Sequence, residues 1–429
     1  MIIVDKAIEK RVADCGPIRI ALIGAGFSAR HIASHIINSF PAIQLAVIVN
    51  RTLEHAASAL ETAGVAHYKT IHEPEQLSSA IGDRHYCVTS DPAVAFACPE
   101  IEAVIEATGD VAYGADIALQ AIAAGKHIVA ANCEVDATVG PLLKRLADDR
   151  GVIFTNTDGD EPGVATNLAR HVRTMGLEVV GAGNLKGFYD PYRTPATQAA
   201  FARQHFNQKP EMVTSFVDGT KLSMELAVTA NSLGFGVRVR GMHGVRCDDV
   251  RECLAHFPAG SFIPGEGIVD FLVGAAPSTG AFVIAHTEQP MTRDYLKYLK
   301  MGEGPFYVFY TPFHLPQLEI PITVCRAVLL HDAAVTPVGR PYADAVTIAK
   351  KDLKAGETLD GIGGYCAFAE LENFETAMHA GLLPMGVSVD CRLKRDVTKD
   401  TPITYADVEL PPGRQIDRLR QDMIRTFFQ

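Results

Sequence analysis

Residues 18–30 read IRIALIGAGFSAR, and this stretch decides the fold of the region around it. The mostly apolar run from 18 to 23 is long enough for one buried strand. A glycine turn begins at Gly24, and apolar residues at helical spacing follow it as far as Ile37. A strand, a glycine turn and the N-terminus of a helix together form an anion-binding site.

The glycine turn fits the pyrophosphate of a dinucleotide. Gly24 permits a tight turn, Gly26 lets the pyrophosphate approach the backbone, and small Ala29 lets the helix pack close to the sheet. We therefore predict that the turn binds a dinucleotide cofactor through Gly24, Gly26, Phe27, Ser28 and Ala29. The alternative is a glycine-rich turn that binds no ligand.

The composition is that of a globular protein. The 429 residues exceed one ordinary core and predict two or three domains. A net charge of −11 without any Lys/Arg cluster argues against a nucleic-acid partner. The sequence has neither a long apolar run typical of a membrane helix nor a secretory signal pattern. Nine scattered cysteines without a C-x-x-C pair favour a reducing compartment, so we expect a cytoplasmic protein.

Strand and helix patterns alternate up to about residue 156, which predicts an α/β fold with an N-terminal, doubly wound Rossmann sheet. One predicted strand opens into Thr108 and Gly109, and another ends at Ala131 and Asn132. Such folds bind ligands at the carboxyl edge of the sheet. We therefore expect these four residues to flank the nicotinamide.

The residues after the second strand indicate which cofactor is bound. NAD enzymes usually place an acidic residue here for the ribose diol, whereas this chain has Asn50 and then Arg51. An arginine offers a planar, charged fork to a 2′-phosphate. The sequence therefore predicts NADPH rather than NADH, unless Arg51 is an ordinary solvated side chain.

An acidic loop interrupts the alternation at residues 156–163 and contains Asp160 and Glu161. Carboxylates before a helix can simply complement its dipole. At the mouth of a dinucleotide site, the same groups could bind Mg or Mn or take a proton. Asp160 and Glu161 are therefore candidates both for catalysis and for a divalent metal site.

The next segment supplies the candidate substrate and catalytic residues. A predicted strand leads into a loop with Lys186, Tyr189 and Arg193, in which Arg193 is the candidate phosphate clamp. Lys221 and Glu225 stand four apart on one face of a predicted helix. This pair is either an exposed surface pair or a lysine acid beside a carboxylate base in a cleft, and its position after the glycine-flanked loop favours the cleft. Asn231, later on the same helix, is a further candidate for substrate binding.

Three blocks of sequence, IALIGAGFSAR, VIEATGD and GKHIVAAN, resemble the homoserine dehydrogenase superfamily in order and spacing. The block at 345–412, with AKKDLKAGETLDGIGGYC, LPMGV and LKRDVTKDTPITYADVELP, resembles a SAF domain, a small β-clip module. Chains that combine the two include the DXR-like enzymes, which stand in for 1-deoxy-D-xylulose 5-phosphate reductoisomerase in some bacteria. The resemblance implies a homodimer.

Departures from the homoserine dehydrogenase pattern point to a rebuilt substrate site. That family commonly has a lysine after the Ala-Asn pair, where this chain has Cys133. The family's helical aspartate and lysine, four apart, correspond here to Glu225 and Thr229. Lys186 or Lys221 would have to replace the missing lysine.

These features predict three domains. Residues 1–156 would bind NADP, 157–340 would form a central α+β catalytic and dimerisation domain, and 341–429 would form the small β SAF-like domain.

The main functional hypothesis is an NADPH-dependent reductoisomerase that converts 1-deoxy-D-xylulose 5-phosphate to 2-C-methyl-D-erythritol 4-phosphate, in isoprenoid precursor synthesis. Lys186 and Lys221 would polarise the ketone or act as acids, and Asp160, Glu161 and Glu225 would act as bases or metal ligands. The alternative is an NADP-dependent dehydrogenase of a sugar acid, polyol or hydroxyketone. A non-catalytic NADP sensor is a third hypothesis.

Overall fold

The computed structural model describes residues 4–205 and 208–429. Its chain divides into two compact units. The first unit extends to Asp160 and also includes Leu315–Thr336, and the second contains Glu161–His314 and Pro337–Gln429. Within the described ranges, no helix combines the length and apolar character needed to cross a membrane.

The first unit is built on a parallel sheet. Its elements before Asp160 are α1 (Val4–Cys15), β1 (Ile18–Ile23), α2 (Phe27–Ser39), β2 (Ile43–Val49), α3 (Leu53–Thr62), β3 (Tyr68–Thr70), α4 (Pro74–Gly82), β4 (Tyr86–Thr89), α5 (Pro92–Ala97), β5 (Ala103–Glu106), α6 (Val111–Ala123), β6 (His127–Ala130), α7 (Cys133–Arg150) and β7 (Phe154–Asn156). Among the described residues, the strand order is β3-β4-β2-β1-β5-β6-β7. All the pairings are parallel.

This topology confirms the predicted doubly wound Rossmann sheet. The chain proceeds from β1 towards one edge and then restarts at β5 towards the other edge. Strand β1 is buried except at Arg19, as expected of a parallel strand covered on both faces. Ligands bind outside the carboxyl ends of the strands where the order reverses, which here is between β1 and β5.

The second unit contains a mixed sheet. Its elements up to His314 are α8 (Glu161–Thr174), β8 (Glu178–Lys186), α9 (Pro195–Gln204), α10 (Pro210–Val217), α11 (Thr220–Leu233), β9 (Val245–Arg246), β10 (Ile268–Val273), β11 (Ala281–His286), α12 (Pro290–Tyr298) and β12 (Phe306–Thr311). The order in the described chain is β12-β11-β8-β10-β9. Strand β8 is central, parallel to β10 and antiparallel to β11.

Helix α8 begins earlier than the sequence pattern predicts. The sequence predicts a loop at residues 156–163, but α8 already starts at Glu161. Proline has no backbone N–H. Pro162 is nevertheless compatible with this start, because the N–H groups of the first helical turn have no acceptor within the helix. Glu161 is therefore fixed at the first position of a helix, where a carboxylate complements the helix dipole.

After His314 the chain returns to the first unit through α13 (Ile320–Cys325). Ile320, Val324 and Cys325 of this helix are buried in the core of the first sheet. The predicted division at 156/157 and 340/341 stays a prediction. The two compact units have other boundaries because the apolar face of α13 joins the core of the first sheet and contacts α1 and β6.

The C-terminal part contains β13 (Ala343–Ala349), β14 (Ala367–Asn373), α14 (Phe374–His379), β15 (Arg392–Leu393), β16 (Val408–Glu409) and α15 (Gln415–Phe428). Strands β13 and β14 pair antiparallel, and α11 packs against both. Leu353 and Val397, which lie in two similar segments, exchange backbone hydrogen bonds of 2.8 and 3.0 Å. The β-rich character fits the expected small β module, and its identification as a SAF domain stays a prediction.

Candidate functional site

The glycine turn of the first unit has the geometry of a dinucleotide-binding loop. Gly24 has a φ of +110°, and a Cβ there would lie 2.7 Å from the carbonyl oxygen of Ala107. A Cβ at Gly26 would point into open space, so the backbone in front of α2 is accessible to a ligand. Ala29 is fully buried, as close packing of α2 on the sheet requires. These residues fit a pyrophosphate at the N-terminus of the helix.

The residues expected at the ribose lie at the end of β2. The Asn50 side-chain amide donates to the carbonyl oxygen of Thr52 at 2.8 Å, which shapes the turn. Arg51 is exposed, so its guanidinium is accessible to a 2′-phosphate. The preference for NADPH over NADH stays a prediction.

The carboxyl ends of β5 and β6 carry the residues expected at the nicotinamide. Gly109 has a φ of +71°, and Asn132 donates to the carbonyl oxygen of Asp110 at 3.2 Å. The last residue of β5, Glu106, accepts hydrogen bonds from the backbone N–H and the hydroxyl of Thr108. Its burial raises the pKa of Glu106 to about 7, an effect that these hydrogen bonds only partly offset. Thr108 and Asn132 therefore lie beside a buried carboxyl.

Sequence reasoning missed Glu106 as a site residue. It closes an apolar strand in the sequence EAVIEATGD, and an acidic residue at the end of a buried strand was the available signal. Carboxyl groups are rarely buried unless they have a partner, so a glutamate at this position is a candidate for a functional or structural contact.

The second unit brings four of the predicted catalytic residues together. We call Lys186, Lys221, Glu161 and Glu225 the lysine–carboxylate cluster. Lys186 is the last residue of β8, and its Nζ lies 2.9 Å from Glu161 Oε1 and 3.2 Å from Glu225 Oε2. Lys221 Nζ approaches the other oxygen of Glu225 at 3.2 Å. The Glu225 carboxylate lies between the two lysines, and Glu161 joins the same charged network through Lys186.

Burial distinguishes this cluster from a surface ion pair. The side chains of Lys186 and Lys221 are 15% and 19% exposed, and that of Glu225 is 1% exposed. Charges are rarely buried to this degree unless they are paired. Of the two alternatives for Lys221 and Glu225, the exposed surface pair is therefore wrong, and the catalytic role of the favoured pair stays a prediction.

Burial by itself lowers the pKa of Lys186, but the charges of Glu161 and Glu225 outweigh burial and raise it above its ordinary value. The hydrogen bonds to these carboxylates act in the same direction. Lys186 is therefore a charged ammonium at neutral pH. A protonated amine can donate a hydrogen bond and a proton but cannot accept one.

A fifth polar residue, Asn184, completes the support of the cluster and was missed from the sequence. Its side-chain amide donates to Glu225 Oε2 at 2.9 Å, and the residue is fully buried. Side chains two residues apart on a strand point to the same face, so Asn184 shares its face of β8 with Lys186. That spacing was the signal that could have identified it.

Asp160 is the candidate catalytic or metal-binding residue of the first unit. It is buried at the end of that unit, and its role stays a prediction.

The candidate substrate-binding residues Arg193 and Tyr189 lie in the loop after β8. Arg193 pairs with Asp190 at 3.0 Å, and its guanidinium lies 5.1 Å from the centre of the Phe188 ring. The Tyr189 ring packs on Phe271 at 5.3 Å, and burial raises the pKa of Tyr189 to about 12. Substrate binding by Tyr189 and Arg193 stays a prediction.

Asn231 is buried and engaged with the backbone. Its side-chain oxygen accepts from the N–H groups of Tyr342 and Ala343 at 2.7 and 3.1 Å, and its amide donates to the carbonyl oxygen of Ala343 at 3.4 Å. These bonds attach α11 to the start of β13 and account for the side chain without a substrate. Substrate contact by Asn231 stays a prediction that this placement does not support.

Comparison with known families covers both units. Residues 18–131 match the model of an oxidoreductase family with an NAD-binding Rossmann fold. Residues 159–320 match the model described as the catalytic domain of oxidoreductase DRL. The second match includes the whole lysine–carboxylate cluster.

Individual proteins resemble parts of the chain. A homoserine dehydrogenase of Synechocystis sp. is 30% identical over 176 residues, which are 39% of this chain and 40% of that protein. Levoglucosan dehydrogenase in complex with NADH is 16% identical, with a TM-score of 0.41, over 74% of this chain and 91% of that chain. A putative myo-inositol dehydrogenase from Sinorhizobium meliloti is 12% identical, with a TM-score of 0.37, over 73% and 87%.

Both family matches describe oxidoreductases, one through a nucleotide-binding fold and the other through a catalytic domain. Two stretches of the chain are thus similar to oxidoreductases, and the first of them has a Rossmann fold.

Proposed function

We propose that this chain is a nicotinamide-dependent reductase or dehydrogenase in which Lys186 exchanges a proton with the oxygen of the substrate. The observation that carries this proposal is the position of Lys186 Nζ, 2.9 Å from Glu161 and 3.2 Å from Glu225. Two carboxylates keep the ammonium charged, and its 15% exposure leaves it accessible to a small molecule. A charged, positioned and accessible ammonium is suited to general acid catalysis.

When bound, a reduced nicotinamide supplies a hydride to the carbonyl carbon of the substrate. Negative charge then develops on the carbonyl oxygen, and the Lys186 ammonium stabilises it by a hydrogen bond before donating a proton. Because the pKa of Lys186 is raised, the lysine enters this step already protonated. The cluster is therefore better suited to reducing a carbonyl than to oxidising an alcohol at neutral pH.

We propose a hydroxyketone, or the ketone that corresponds to a sugar acid or a polyol, as the substrate class. Lys221 Nζ lies 3.2 Å from Glu225 and is 19% exposed, so the cluster offers a second accessible cation close to Lys186. Ammonium donors and carboxylate acceptors together can bind a carbonyl oxygen and an adjacent hydroxyl.

The test follows oxidation of NADPH and NADH across a panel of ketoses, ketose phosphates and oxidised sugar acids. The wild type should turn over at least one member, and Lys186→Ala should lower kcat by about 10²- to 10⁴-fold without changing cofactor affinity. Lys10→Ala, on the exposed face of α1, is the control and should match the wild type. Normal turnover by Lys186→Ala would refute the proposal.

A narrower candidate is the reductoisomerase that converts 1-deoxy-D-xylulose 5-phosphate to 2-C-methyl-D-erythritol 4-phosphate. The observation in its favour is that two lysines, Lys186 and Lys221, approach the carboxylate of Glu225, each at 3.2 Å. A rearrangement that breaks and forms a carbon–carbon bond needs both the ketone and the neighbouring hydroxyl polarised, which two lysines on one carboxylate could do. Product analysis with this substrate, and inhibition by the phosphonate fosmidomycin, separate it from a simple dehydrogenase.

Three dependent proposals accompany this function. Exposed Arg51 would favour NADPH. The resemblance to a known family implies a homodimer, which light scattering would detect.

A divalent metal at Asp160 and Glu161 would make turnover sensitive to EDTA. In the second unit Glu161 faces the basic groups of Lys186 and His314, so its charge is accounted for without a cation.

A further inference from the structure

We propose that the C-terminal part of the second unit holds the loop at 187–194 in the position that binds substrate. The contacts responsible surround the side chain of Tyr192, which acts through the loop and is therefore a positioning residue. The proposal rests on the proposed function, because the loop directly follows Lys186. It gives the C-terminal part a role in the reaction of the lysine–carboxylate cluster.

The ring of Tyr192 is held on three sides by residues of the C-terminal part. Its hydroxyl lies 3.0 and 3.1 Å from the two carboxylate oxygens of Asp400. The ammonium of Lys399 lies 3.6 Å from the centre of the ring, and the Phe368 ring lies 6.4 Å away in a T-shaped arrangement. We call Tyr192, Phe368, Lys399 and Asp400 the tyrosine cluster. A hydrogen bond to a carboxylate and a cation–π contact together fix both the place and the direction of the ring.

The turn that carries Lys399 and Asp400 is itself fixed by the end of β13 and the residues after it. Asp400 has a φ of +63°, which is uncommon for a residue other than glycine. Its N–H donates to the carbonyl oxygen of Ala349 at 2.9 Å, and the N–H of Lys399 donates to Asp352 Oδ1 at 2.9 Å. A sparsely populated backbone conformation persists where surrounding contacts require it. The turn therefore presents its carboxylate and ammonium to Tyr192 from a fixed position.

The loop at 187–194 adjoins both segments that supply lysines to the lysine–carboxylate cluster. It begins at the residue after Lys186, the end of β8. Its Asp190 N–H donates to the carbonyl oxygen of Val217 at 2.9 Å, just before the helix that carries Lys221. The position of the loop therefore affects how a substrate approaches the two lysines.

The loop also offers hydrogen-bond donors to a substrate. Arg193 Nε donates to Asp190 Oδ2 at 3.0 Å, and a guanidinium has further N–H donors. The Arg193 side chain is 38% exposed, so a small molecule can reach it. Because Arg193 follows Tyr192 in the chain, fixing the tyrosine limits the positions that the guanidinium can take. The tyrosine cluster thus orients a donor for a polar group of the substrate.

This arrangement predicts an effect on KM rather than on kcat. When the tyrosine cluster is broken, a smaller fraction of the molecules has the loop in its binding position, and the apparent affinity falls by that fraction. At saturating substrate the bound molecule itself holds the loop, so the chemistry at Lys186 is unchanged. A contact that served stability alone would leave both constants of the folded protein unchanged.

The kinetic experiment uses the carbonyl substrate identified with the panel. Tyr192→Phe removes the hydroxyl and keeps the ring, whereas Asp400→Gly removes the carboxylate and tolerates the positive φ. Each should raise the KM of the carbonyl substrate about 3- to 10-fold, with kcat and the KM of the cofactor within about twofold of the wild type. The double variant should show no more than the larger single effect, because both changes break the same hydrogen bond.

Two further variants serve as comparisons. Asp400→Asn tolerates the same φ and keeps an acceptor for the hydroxyl, so its effect on KM should be smaller than that of Asp400→Gly. Tyr295→Phe, at an exposed tyrosine of α12, is the matched control and should reproduce the wild-type constants.

A second readout does not depend on turnover. The chain contains no tryptophan, so Phe188→Trp introduces a single fluorescent reporter into the loop. Combining it with Tyr192→Phe should lower the fluorescence anisotropy of the tryptophan and raise its quenching by acrylamide. Combining it with Tyr295→Phe should change neither quantity.

An unchanged KM for both Tyr192→Phe and Asp400→Gly would overturn the proposal. Additive effects of the two changes, a fall in kcat at constant KM, or an unchanged tryptophan signal would overturn it as well. Each of these results leaves the proposed function standing if Lys186→Ala is still inactive. Full activity of Lys186→Ala would instead refute the proposed function, and the tryptophan reporter would decide separately whether the tyrosine cluster holds the loop.

Discussion

Two buried lysines of the second unit, Lys186 and Lys350, have similar partners and different surroundings. Lys350 Nζ donates to Asp218 at 2.9 Å and to the carbonyl oxygens of Arg193 and Gly364 at 2.8 Å each. Its side chain is 3% exposed, and that of Asp218 is completely buried. Lys186 contacts two carboxylates and is 15% exposed. Both lysines form buried ion pairs with acidic residues.

The two lysines differ in how many of their N–H donors have acceptors in the fold. An ammonium has three N–H donors, and all three of Lys350 have acceptors in the fold. In the described contacts of Lys186, two donors go to Glu161 and Glu225, which leaves one for a ligand. Burial of a lysine beside a carboxylate therefore does not identify a functional group. The donor of Lys186 that has no acceptor among its described contacts is the feature that separates it from Lys350, and its catalytic role is a proposal.

The largest expected effect is that of Lys186→Arg. Arginine keeps the positive charge between Glu161 and Glu225 but does not release a proton, because its pKa exceeds 12. We expect kcat to fall by about 10²- to 10⁴-fold. The free energy of unfolding should change by less than about 2 kcal/mol, measured by urea denaturation. A substantially active Lys186→Arg variant would show that charge alone is sufficient.

Lys350→Met should show the opposite pattern. It leaves the carboxylate of Asp218 buried without its cation, and we expect a loss of about 3–5 kcal/mol in the free energy of unfolding. In the remaining folded protein, kcat should stay at least tenfold above that of Lys186→Arg. The double variant Lys350→Met/Asp218→Asn should recover part of the stability, because no charge is then left unpaired. Equal stability of the single variant and the wild type would contradict the structural role.

Glu106 extends the comparison to a buried carboxyl whose hydrogen-bond donors come from Thr108. Burial raises its pKa from 4.5 to about 7, so the folded state keeps a proton that the unfolded state loses. The contribution of Glu106 to the free energy of unfolding is fully present below about pH 4.5 and is lost as the pH rises to about 7. The pKa of Glu106 thus differs by 2.5 between the unfolded and the folded state. At about 1.36 kcal/mol for each pKa unit, this difference corresponds to about 3 kcal/mol in the free energy of unfolding.

Glu106→Gln removes this titration. The free energy of unfolding of the variant should therefore decline less than that of the wild type between pH 4.5 and 7, in urea denaturation at a series of pH values. Identical pH profiles of the two proteins would show that Glu106 ionises equally in both states. Asp83→Asn, an exposed carboxyl of the same unit, is the control and should reproduce the wild-type profile.

The smallest effect concerns Arg51, an exposed cation rather than a buried one. Arg51→Ala should raise the KM for NADPH by about 10- to 100-fold, since a charge-assisted hydrogen bond contributes about 1.5–3 kcal/mol. The KM for NADH, which lacks the 2′-phosphate, serves as the internal control and should change little. Equal changes for the two cofactors would contradict the predicted role of Arg51.

Much of the fold was predictable because local chemistry decides it. The apolar strand before Gly24, the glycine turn and the helical spacing after it are properties of consecutive residues. The start of α8 was not predicted, because Pro162 was treated as a sign of a loop. Nor was the return of 315–336 to the first unit, because that depends on the apolar face of α13 finding the first sheet.

The candidate site was predictable only in part. Lys221 and Glu225 could be paired from their helical spacing, and Lys186 stood out in a glycine-flanked loop. Asn184 and Glu106 were missed because the signal at each position, a polar residue in an otherwise apolar strand, does not show which groups the side chain will face. The contact of His314 with Glu161 could not be foreseen, because an isolated histidine in the sequence is most often structural.

Local patterns in the sequence were sufficient for the Rossmann fold and its glycine turn, because backbone geometry and the apolar period of each segment depend on neighbouring residues. The place of Lys186 between Glu161 and Glu225, with His314 on the far side of Glu161, became known from the folded chain alone. These residues are distant in the chain, and their charges and proton affinities depend on burial and on distances of about 3 Å that no local pattern encodes.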